Sequence, residues 1–324
     1  MRVVNAEVAN LRGAEPGAGG DGVPPAVEVA GLTKRFGGVL AVDNLAMTVP
    51  TGVVAGFVGP NGAGKTTTMR MLLGLIRPDR GHGTVLGQPL EEPDRFLHRV
   101  GALIEGPAFY PTMTGRQNLL LLARLGGFDA RRADEALEVV GLSSRGRDPF
   151  RSYSLGMKQR LGIAAALLPE PDLLVLDEPA NGLDPAGIHD IRKLLRDLAI
   201  SGTSVLVSSH LLGEIEALCD WVILLDRGRR VYQGSVDELL EGGRGLVVRT
   251  LHAEQLEIVE SVARSHGYPT TRNGDRVMVH APPAFGGPLN QEAMRQGAII
   301  SELAVNTASG LEERFLAITG EARS

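Results

Sequence analysis

Continuous apolar runs separated by amphipathic segments dominate the middle of this chain. The runs lie at Val53–Val58, Leu173–Asp177, Ser204–Ser208 and Trp221–Asp226, and such runs predict strands that are buried on both faces. Between them, segments such as Ile188–Ala199 carry apolar residues at helical spacing, with charged residues on the other positions. Because strands that alternate with helices form parallel sheets, the pattern predicts an α/β protein.

The pattern changes before and within this α/β region. Val27–Val29 and Leu40–Val49 predict two strands ahead of the first buried run. From Glu91 to about Phe150, apolar residues recur at helical spacing. We therefore expect a helical insertion, spanning about residues 91–165, between two halves of the α/β core.

A smaller unit is predicted at the C-terminal end. The glycines of Glu241–Gly245 indicate a linker, and Leu246–Ala304 then reads as a βαββαβ unit with a hairpin at Asn273-Gly274. The first residues are rich in Gly, Ala and Pro, a composition typical of disorder. The predicted organisation is a disordered tail (1–24), a main domain (25–241) and an α+β accessory domain (245–324).

Composition narrows the class of protein. Hydrophobic residues make up 43% and charged residues 22% of the 324 positions, as in globular proteins. The net charge of −5 argues against a nucleic-acid partner, since nucleic-acid-binding domains usually have a basic excess. The single cysteine, Cys219, excludes an internal disulfide. No apolar run approaches the ~20 residues of a membrane span, so a transport role would need a separate membrane protein.

The segment from Gly59 to Thr67 fits G-x-x-x-x-G-K-[ST], the pattern of phosphate-binding loops. Its glycines let the backbone curl around a phosphate, and successive N–H groups form an anion nest at the start of a helix. Lys65 would reach the β- and γ-phosphates, and the Thr66 hydroxyl would ligate Mg²⁺. The residues predicted to hold the nucleotide here are Gly59, Pro60, Asn61, Gly62, Ala63, Gly64, Lys65, Thr66 and Thr67.

An acidic pair, Asp177-Glu178, ends the buried strand that begins at Leu173. An acid at the end of a buried strand beside a phosphate loop is the expected second Mg²⁺ ligand. Glu178 is then placed to act as the general base that polarises the attacking water. The sequence therefore predicts a hydrolase of nucleotide triphosphates.

The segment Tyr153–Arg160 resembles the signature motif of the ATP-binding cassette (ABC) ATPases. The resemblance extends from about Val27 to Leu240, and the motifs occur in the family's order. It implies that ATP and Mg²⁺ are the ligands and that His210 is a catalytic switch histidine. Further residues take roles by resemblance, namely Phe36 (stacking on adenine), Glu105 (Q-loop), Ser154, Leu155 and Gly156 (signature), and Asn181, Gly182, Leu183 and Asp184 (D-loop).

Two positions depart from the family pattern. The Q-loop residue, usually Gln, is Glu105, which we expect in the metal shell together with Thr66 and Asp177. Such a third carboxylate would repel the other acids when metal is absent. In the signature, Leu155 replaces the first glycine. Both departures resemble the exporters that confer self-resistance to bacitracin and lantibiotics.

The resemblance implies an architecture and a set of partners. The fold would be a P-loop (RecA-like) parallel-sheet core with an N-terminal antiparallel β subdomain, a helical insertion and a small α+β C-terminal domain. Since each chain has one phosphate loop and one signature, it implies a homodimer or pseudo-dimer around two ATP molecules. It also implies an integral-membrane permease, which would hold the chain at the cytoplasmic face of the membrane. The predicted function is ATP-driven export of an antibiotic, drug or peptide.

Other functions are compatible with parts of the sequence. A soluble ABC ATPase acting on DNA or ribosomes is the alternative, although such proteins usually carry a coiled-coil insertion or two cassettes in one chain. A GTPase would need an Asn-Lys-x-Asp motif, which is absent. The C-terminal unit would be either a dimer-stabilising appendage or a regulatory ligand-binding module.

Overall fold

The computed structural model describes residues 24–106, 108–241, 245–306 and 310–319. The predicted tail up to residue 23, the linker residues 242–244 and Pro107 of the Q-loop lie outside them. The chain divides into two compact units, with the division between Gly234 and Ser235.

The first unit contains two sheets within the described residues. Its strands are β1 (Val27–Phe36), β2 (Val39–Val49), β3 (Val54–Val58), β4 (Arg80–Val85), β5 (Gln88–Pro89), β6 (Val100–Leu103), β7 (Leu173–Leu176), β8 (Ser204–Ser209), β9 (Trp221–Asp226) and β10 (Arg229–Ser235). Strands β2-β1-β4-β5 form an antiparallel sheet, and β10-β9-β3-β8-β7-β6 form the central sheet. In the central sheet β6, β7, β8, β3 and β9 run parallel, so their carboxyl ends lie at one edge.

Helices and turns connect the strands of this unit. The described helices are α1 (Lys65–Leu72), α2 (Gly115–Leu125), α3 (Arg131–Val139), α4 (Leu155–Leu167), α5 (Pro185–Ile200) and α6 (Leu212–Leu218). One buried cluster joins the antiparallel sheet, α1 and the central sheet, and it includes Leu45, Phe57, Met69 and Leu173. This shared core fixes α1 and the strand ends relative to one another.

The helical reading of residues 91–150 is wrong for one segment. Val100–Leu103 forms β6, the edge strand of the central sheet, and pairs in parallel with β7. Four residues, Val-Gly-Ala-Leu, are too few to separate helical from strand periodicity. Gly101 also lies against α4, since a Cβ at this position would be 2.0 Å from Ala166 O. The helical part therefore begins after β6, and α2 starts at Gly115.

The second unit has the predicted βαββαβ order. Its described part begins with α7 (Val236–Glu241) and ends with α10 (Leu311–Thr319). Between these helices lie, in order, β11 (Gly245–Thr250), α8 (Leu256–Ser265), β12 (Thr270–Asn273), β13 (Arg276–Val279), α9 (Gly286–Arg295) and β14 (Ile300–Asn306). The antiparallel sheet has the order β12-β13-β11-β14, and a separate core packs it against α8 and α9. In this unit Arg314 Nε also donates a hydrogen bond to Leu239 O at 3.1 Å.

The α/β fold class is confirmed, with a parallel core sheet, an antiparallel N-terminal sheet and an α+β unit at the C-terminal end. Within the described residues, no helix combines the length and the apolar character that a membrane crossing requires.

Candidate active site

The phosphate loop connects the end of β3 to the start of α1. Gly64 caps α1 with φ 98°, and a Cβ there would lie 2.5 Å from Ala41 O. Both the left-handed backbone and the close approach therefore require glycine. Pro60, Asn61 and Gly62 are exposed, so the open side of the loop faces solvent. Ala63 is buried beneath the loop, and Thr67 is half-buried in the first turn of α1.

Lys65 is the first residue of α1, and its ammonium group folds back over the loop. Nζ donates to Gly59 O at 2.6 Å and to Pro60 O at 3.3 Å, and it lies 3.8 Å from Glu178 Oε1. The side chain is only 5% exposed. Burial lowers the pKa of Lys65, whereas the negative charges of Glu178 and Asp177 oppose this shift. A phosphate entering the loop would supply further negative charge to this buried cation.

The Asp177 carboxylate follows β7 and connects three elements. Oδ2 accepts a hydrogen bond from Thr66 Oγ1 at 2.6 Å, and Oδ1 accepts one from Ser208 Oγ at the end of β8. The structure thus brings together two of the three predicted metal ligands, Thr66 and Asp177. No group of three His, Cys, Asp or Glu side chains arranged for a metal occurs in the described part of the chain. A hydroxyl and a carboxylate completed by phosphate oxygens is the ligand set that Mg²⁺ accepts.

Glu178 adopts a left-handed backbone, with φ 47°. Its N–H donates to Ser208 Oγ at 2.9 Å, and its carboxylate atom Oε1 lies 3.8 Å from Lys65 Nζ. Oε2 lies 3.1 Å from His210 Nδ1 and accepts from Asn181 Nδ2 at 3.3 Å. The two residues predicted to be catalytic, Glu178 and His210, are therefore in direct contact. A rare backbone conformation that is held by neighbouring hydrogen bonds is common at active sites.

Ser208 is a site residue to which the sequence analysis gave no role. Its hydroxyl donates to Asp177 and accepts from the Glu178 N–H, so one side chain orients both acids. The side chain is fully buried. A signal was present, because a serine at the carboxyl end of an apolar strand lies at the edge where the sites of parallel sheets form.

Glu105 does not face the other acids in the way that the sequence predicted. It has φ 68° and forms an ion pair with Arg70 on α1, and its side chain is two-thirds exposed. The expected repulsion of Asp177 by Glu105 is thus offset by a neighbouring cation. Arg70 had no assigned role, since nothing in the spacing of the sequence connects position 70 to position 105.

Phe36 ends β1 at the hairpin to β2. Its ring is half exposed, and Lys34 Nζ lies 5.6 Å from the ring centroid. No other aromatic ring packs against it in the described part of the chain. An exposed ring on a hairpin is free to stack on a flat ligand.

The signature lies at the start of α4 and is open to solvent. Ser154 caps this helix, and its hydroxyl accepts from Met157 N at 3.3 Å. Leu155 is about half exposed, and its Cδ2 lies 3.0 Å from the place where a Gly182 Cβ would stand. Leu183 Cδ2 also approaches Gly156, since a Cβ added to this glycine would lie 3.7 Å from it. Among the described contacts, no hydrogen bond or ion pair connects Ser154 to the phosphate loop of the same chain.

Asp184 caps α5, as its position before Pro185 suggests. Its carboxylate accepts from Gly187 N at 2.9 Å. The residue is exposed, so capping leaves one face of the carboxylate accessible. The D-loop lies next to the signature, because Leu155 of the signature approaches Gly182 and Leu183 of the D-loop approaches Gly156.

The chain is similar to known proteins of one family. The ABC transporter family model matches residues 42–181. The bacitracin transport ATP-binding protein BcrA of Bacillus licheniformis is 38% identical over 299 residues, covering 91% of this chain and 97% of that protein. The daunorubicin/doxorubicin resistance ATP-binding protein DrrA of Streptomyces peucetius is 36% identical over 306 residues, covering 91% of this chain and 92% of that protein.

A solved structure of the same family has a similar fold. A solved ATP-binding subunit of an ABC transporter matches with a TM-score of 0.60 and 30% identity, over 67% of this chain and 92% of that structure. The chain belongs to the ATP-binding subunits of ABC transporters and is therefore an ATPase that acts with a membrane permease.

Proposed function

We propose that this ATPase drives export of an antibiotic or another drug through its permease, from the cytoplasmic face of the membrane. The support comes from relatives that span almost the whole chain, which are named for bacitracin transport and for daunorubicin and doxorubicin resistance. A third relative is named for Nod factor export. The three names state transport, drug resistance and export, and ATP-driven export of a compound is the one activity that would account for all three.

One observation carries the catalytic part of the proposal, namely the contact between Glu178, His210 and Lys65 at the end of the parallel strands. In the proposed mechanism Glu178 accepts a proton from the water that attacks the γ-phosphorus, while the bond from the γ-phosphorus to the β,γ-bridging oxygen breaks and ADP leaves. Lys65 stabilises the charge that develops on the phosphate oxygens, and His210 orients Glu178. Phe36 stacks on the adenine.

Mg²⁺ is part of this proposal. Thr66 and Asp177 are the residues that would hold it, because their oxygens already lie within hydrogen-bond distance of each other. When bound, the ion neutralises charge on the β- and γ-phosphates. Glu105 remains a proposed third contributor, and its release from Arg70 would be required.

We further propose that two copies of the chain bind two ATP molecules between them. Ser154 is exposed at a helix N-terminus, where the hydroxyl and backbone N–H groups suit a phosphate. An isologous pair would bring each signature to the phosphate loop of the other copy. The remaining signature residues, Leu155 and Gly156, and Asp184 of the D-loop would then border the partner's nucleotide.

We propose a separate role for each of the two domains expected from the sequence. Residues 25–241 would form the nucleotide-binding domain, and residues 245–324 an accessory domain that stabilises the dimer. The surface around the Q-loop and the helical insertion would receive the permease. No role in nucleic-acid binding is proposed, since the net charge is −5.

Transport in inside-out membrane vesicles tests the proposed function. The chain and its permease are co-expressed, and ATP-dependent uptake of a fluorescent anthracycline and of labelled bacitracin is measured. We expect uptake of one of them with the wild-type chain and none with Glu178→Gln. Absence of ATP-dependent uptake for both compounds, with the permease present in the membrane, would contradict export of the drugs for which the relatives are named.

A further inference from the structure

Asn118, on the first turn of α2, makes an unusual set of contacts. Its side chain is 2% exposed. Oδ1 accepts from Tyr110 N at 2.8 Å, while Nδ2 lies within hydrogen-bond distance of three carbonyl oxygens, those of Tyr110 (3.2 Å), Met113 (3.4 Å) and Thr114 (3.0 Å). One buried amide therefore fixes the backbone of the loop formed by residues 108–114, which we call the post-Q loop. This loop begins three positions after Glu105.

The post-Q loop is also joined to the segment that precedes the signature. Phe150 N donates to Met113 O at 2.9 Å, and Arg151 N donates to Pro111 O at 3.0 Å. Thr114 forms an isolated bridge with Pro149. Only two residues, Ser152 and Tyr153, separate Arg151 from Ser154. A displacement of the post-Q loop would thus be transmitted through backbone hydrogen bonds to the start of α4.

The post-Q loop carries an exposed aromatic side chain on a backbone that is held by hydrogen bonds. The Tyr110 side chain is 62% exposed, although both polar groups of its backbone are held by Asn118. The neighbouring Phe109 is anchored, since its ring packs edge-on against Phe150 at 5.1 Å. The loop therefore presents one large amphipathic ring on a fixed backbone. Aromatic residues of this kind are enriched where protein partners bind.

We propose that Asn118 is a positioning residue that couples the permease to the signature. The permease contacts Tyr110, and Asn118 keeps the post-Q loop rigid, so that movement of the permease shifts residues 149–151 and with them Ser154. This inference rests on the proposed function and adds a named contact and a path within one chain. Without Asn118 the loop would still exist, but its movement would be absorbed locally.

The chemistry of the amide explains why asparagine suits this position. Alanine would leave the Tyr110 N–H without its side-chain acceptor, and it would remove the amide donor from three carbonyl groups whose remaining partners are backbone N–H groups. Aspartate has the same shape and can accept from Tyr110 N, but an ionised carboxylate cannot donate to the carbonyl oxygens. Asn118→Asp therefore removes half of the set of contacts while preserving the volume of the side chain.

Gln117 provides a matched control. It lies on the same turn, and its Oε1 accepts from Thr114 N at 2.9 Å in an exposed capping box. Gln117→Ala therefore removes a polar contact at the same helix start without touching Tyr110. A loss that arose only from weakening the start of α2 would be similar in the two alanine variants.

The test compares ATP turnover of the chain alone with turnover after reconstitution with its permease in lipid vesicles. We expect Asn118→Ala and Asn118→Asp to lower permease-stimulated turnover by about tenfold, while turnover of the chain alone stays within about twofold of wild type. Gln117→Ala should match wild type in both assays. Tyr110→Ala should reduce recovery of the permease when the chain is purified from membranes.

Two results would overturn the inference in distinguishable ways. If wild type is stimulated by the permease and Asn118→Asp, folded as judged by its melting temperature, is stimulated equally, Asn118 has no coupling role. If wild type neither binds the permease nor responds to it, the proposed function fails, and this inference fails with it. Thermal unfolding of each variant separates these results from a failure to fold, and the isosteric Asn118→Asp decides the question if the alanine variant does not fold.

Discussion

The two halves of the candidate site differ in how completely one chain builds them. On the phosphate-loop side, Lys65, Thr66, Asp177 and Glu178 are held by hydrogen bonds and an ion pair, and Ser208 connects the acids. On the signature side, the Ser154 hydroxyl accepts one hydrogen bond, from the backbone of its own helix, and both Ser154 and Leu155 are exposed.

This difference follows from where each half lies in the fold. The phosphate-loop side sits at the carboxyl ends of parallel strands, so neighbouring strands place their terminal residues within reach of one another. The signature is a helix N-terminus, whose unpaired N–H groups require a partner from elsewhere. A preorganised half can stabilise charge without rearrangement, whereas an open half can respond to a second molecule.

The largest effect is expected from Glu178→Gln. Loss of the general base should lower turnover by about 10²- to 10⁴-fold, because general-base catalysis contributes that much. ATP binding, measured with a fluorescent nucleotide, should be retained, since Lys65 and the loop are unchanged.

Glu105→Gln is the matched control for this variant. Its carboxylate pairs with Arg70 at an exposed position, so a much smaller loss is expected. Normal turnover in Glu178→Gln would contradict the assignment of the base. A loss in Glu105→Gln as large as that in Glu178→Gln would instead place Glu105 among the essential groups.

A smaller loss is expected from Ser208→Ala, which removes the shared partner of both acids. Residues that orient ligands from behind typically change activity by about 10- to 100-fold, and we expect a decrease in turnover within that range. The neighbouring Ser209 is buried as well, but it bonds to Leu211 and Glu214 rather than to the acids. Ser209→Ala should therefore retain more activity, and equal losses would show that general weakening of β8 is responsible.

The smallest departure from wild-type turnover, about fourfold, is expected for a mixture of two variant chains that would share sites between copies. Lys65→Ala and Ser154→Ala chains should each be nearly inactive, because every site in the homodimer would lack one half. Mixing them in equal amounts should restore up to about a quarter of wild-type turnover, since half of the dimers would be mixed and each would hold one complete site. A mixture with no more activity than its components would contradict a site shared between copies.

Several features were predictable because they depend on short local patterns. The phosphate loop needs glycines at fixed spacing, and Asp177-Glu178 ends an unambiguous apolar strand. The capping role of Asp184 followed from the proline at position 185, and the α5 N-terminus has that geometry. In each case a few adjacent residues contain the whole signal.

Other features depend on residues far apart in sequence. β6 was missed because its four residues acquire their strand character from pairing with β7, about seventy positions later. The Arg70–Glu105 pair and the two hydrogen bonds of Ser208 arise only after strands and helices have been packed. Asn118 lies within the region that was predicted only as helical, and its contacts with the post-Q loop depend on how that loop folds around it.

Residue types and their spacing were enough to predict the chemistry of this protein, namely a phosphate loop, a proposed metal ligand, a proposed base and a signature in the order of one family. The fold orients these groups. It placed Ser208 between the acids, turned Glu105 toward Arg70 and left Ser154 exposed. The physical reason is that motif identity depends on residue type and spacing along the chain, whereas orientation depends on hydrogen bonds between strands and helices that are distant in sequence and meet only in the folded core.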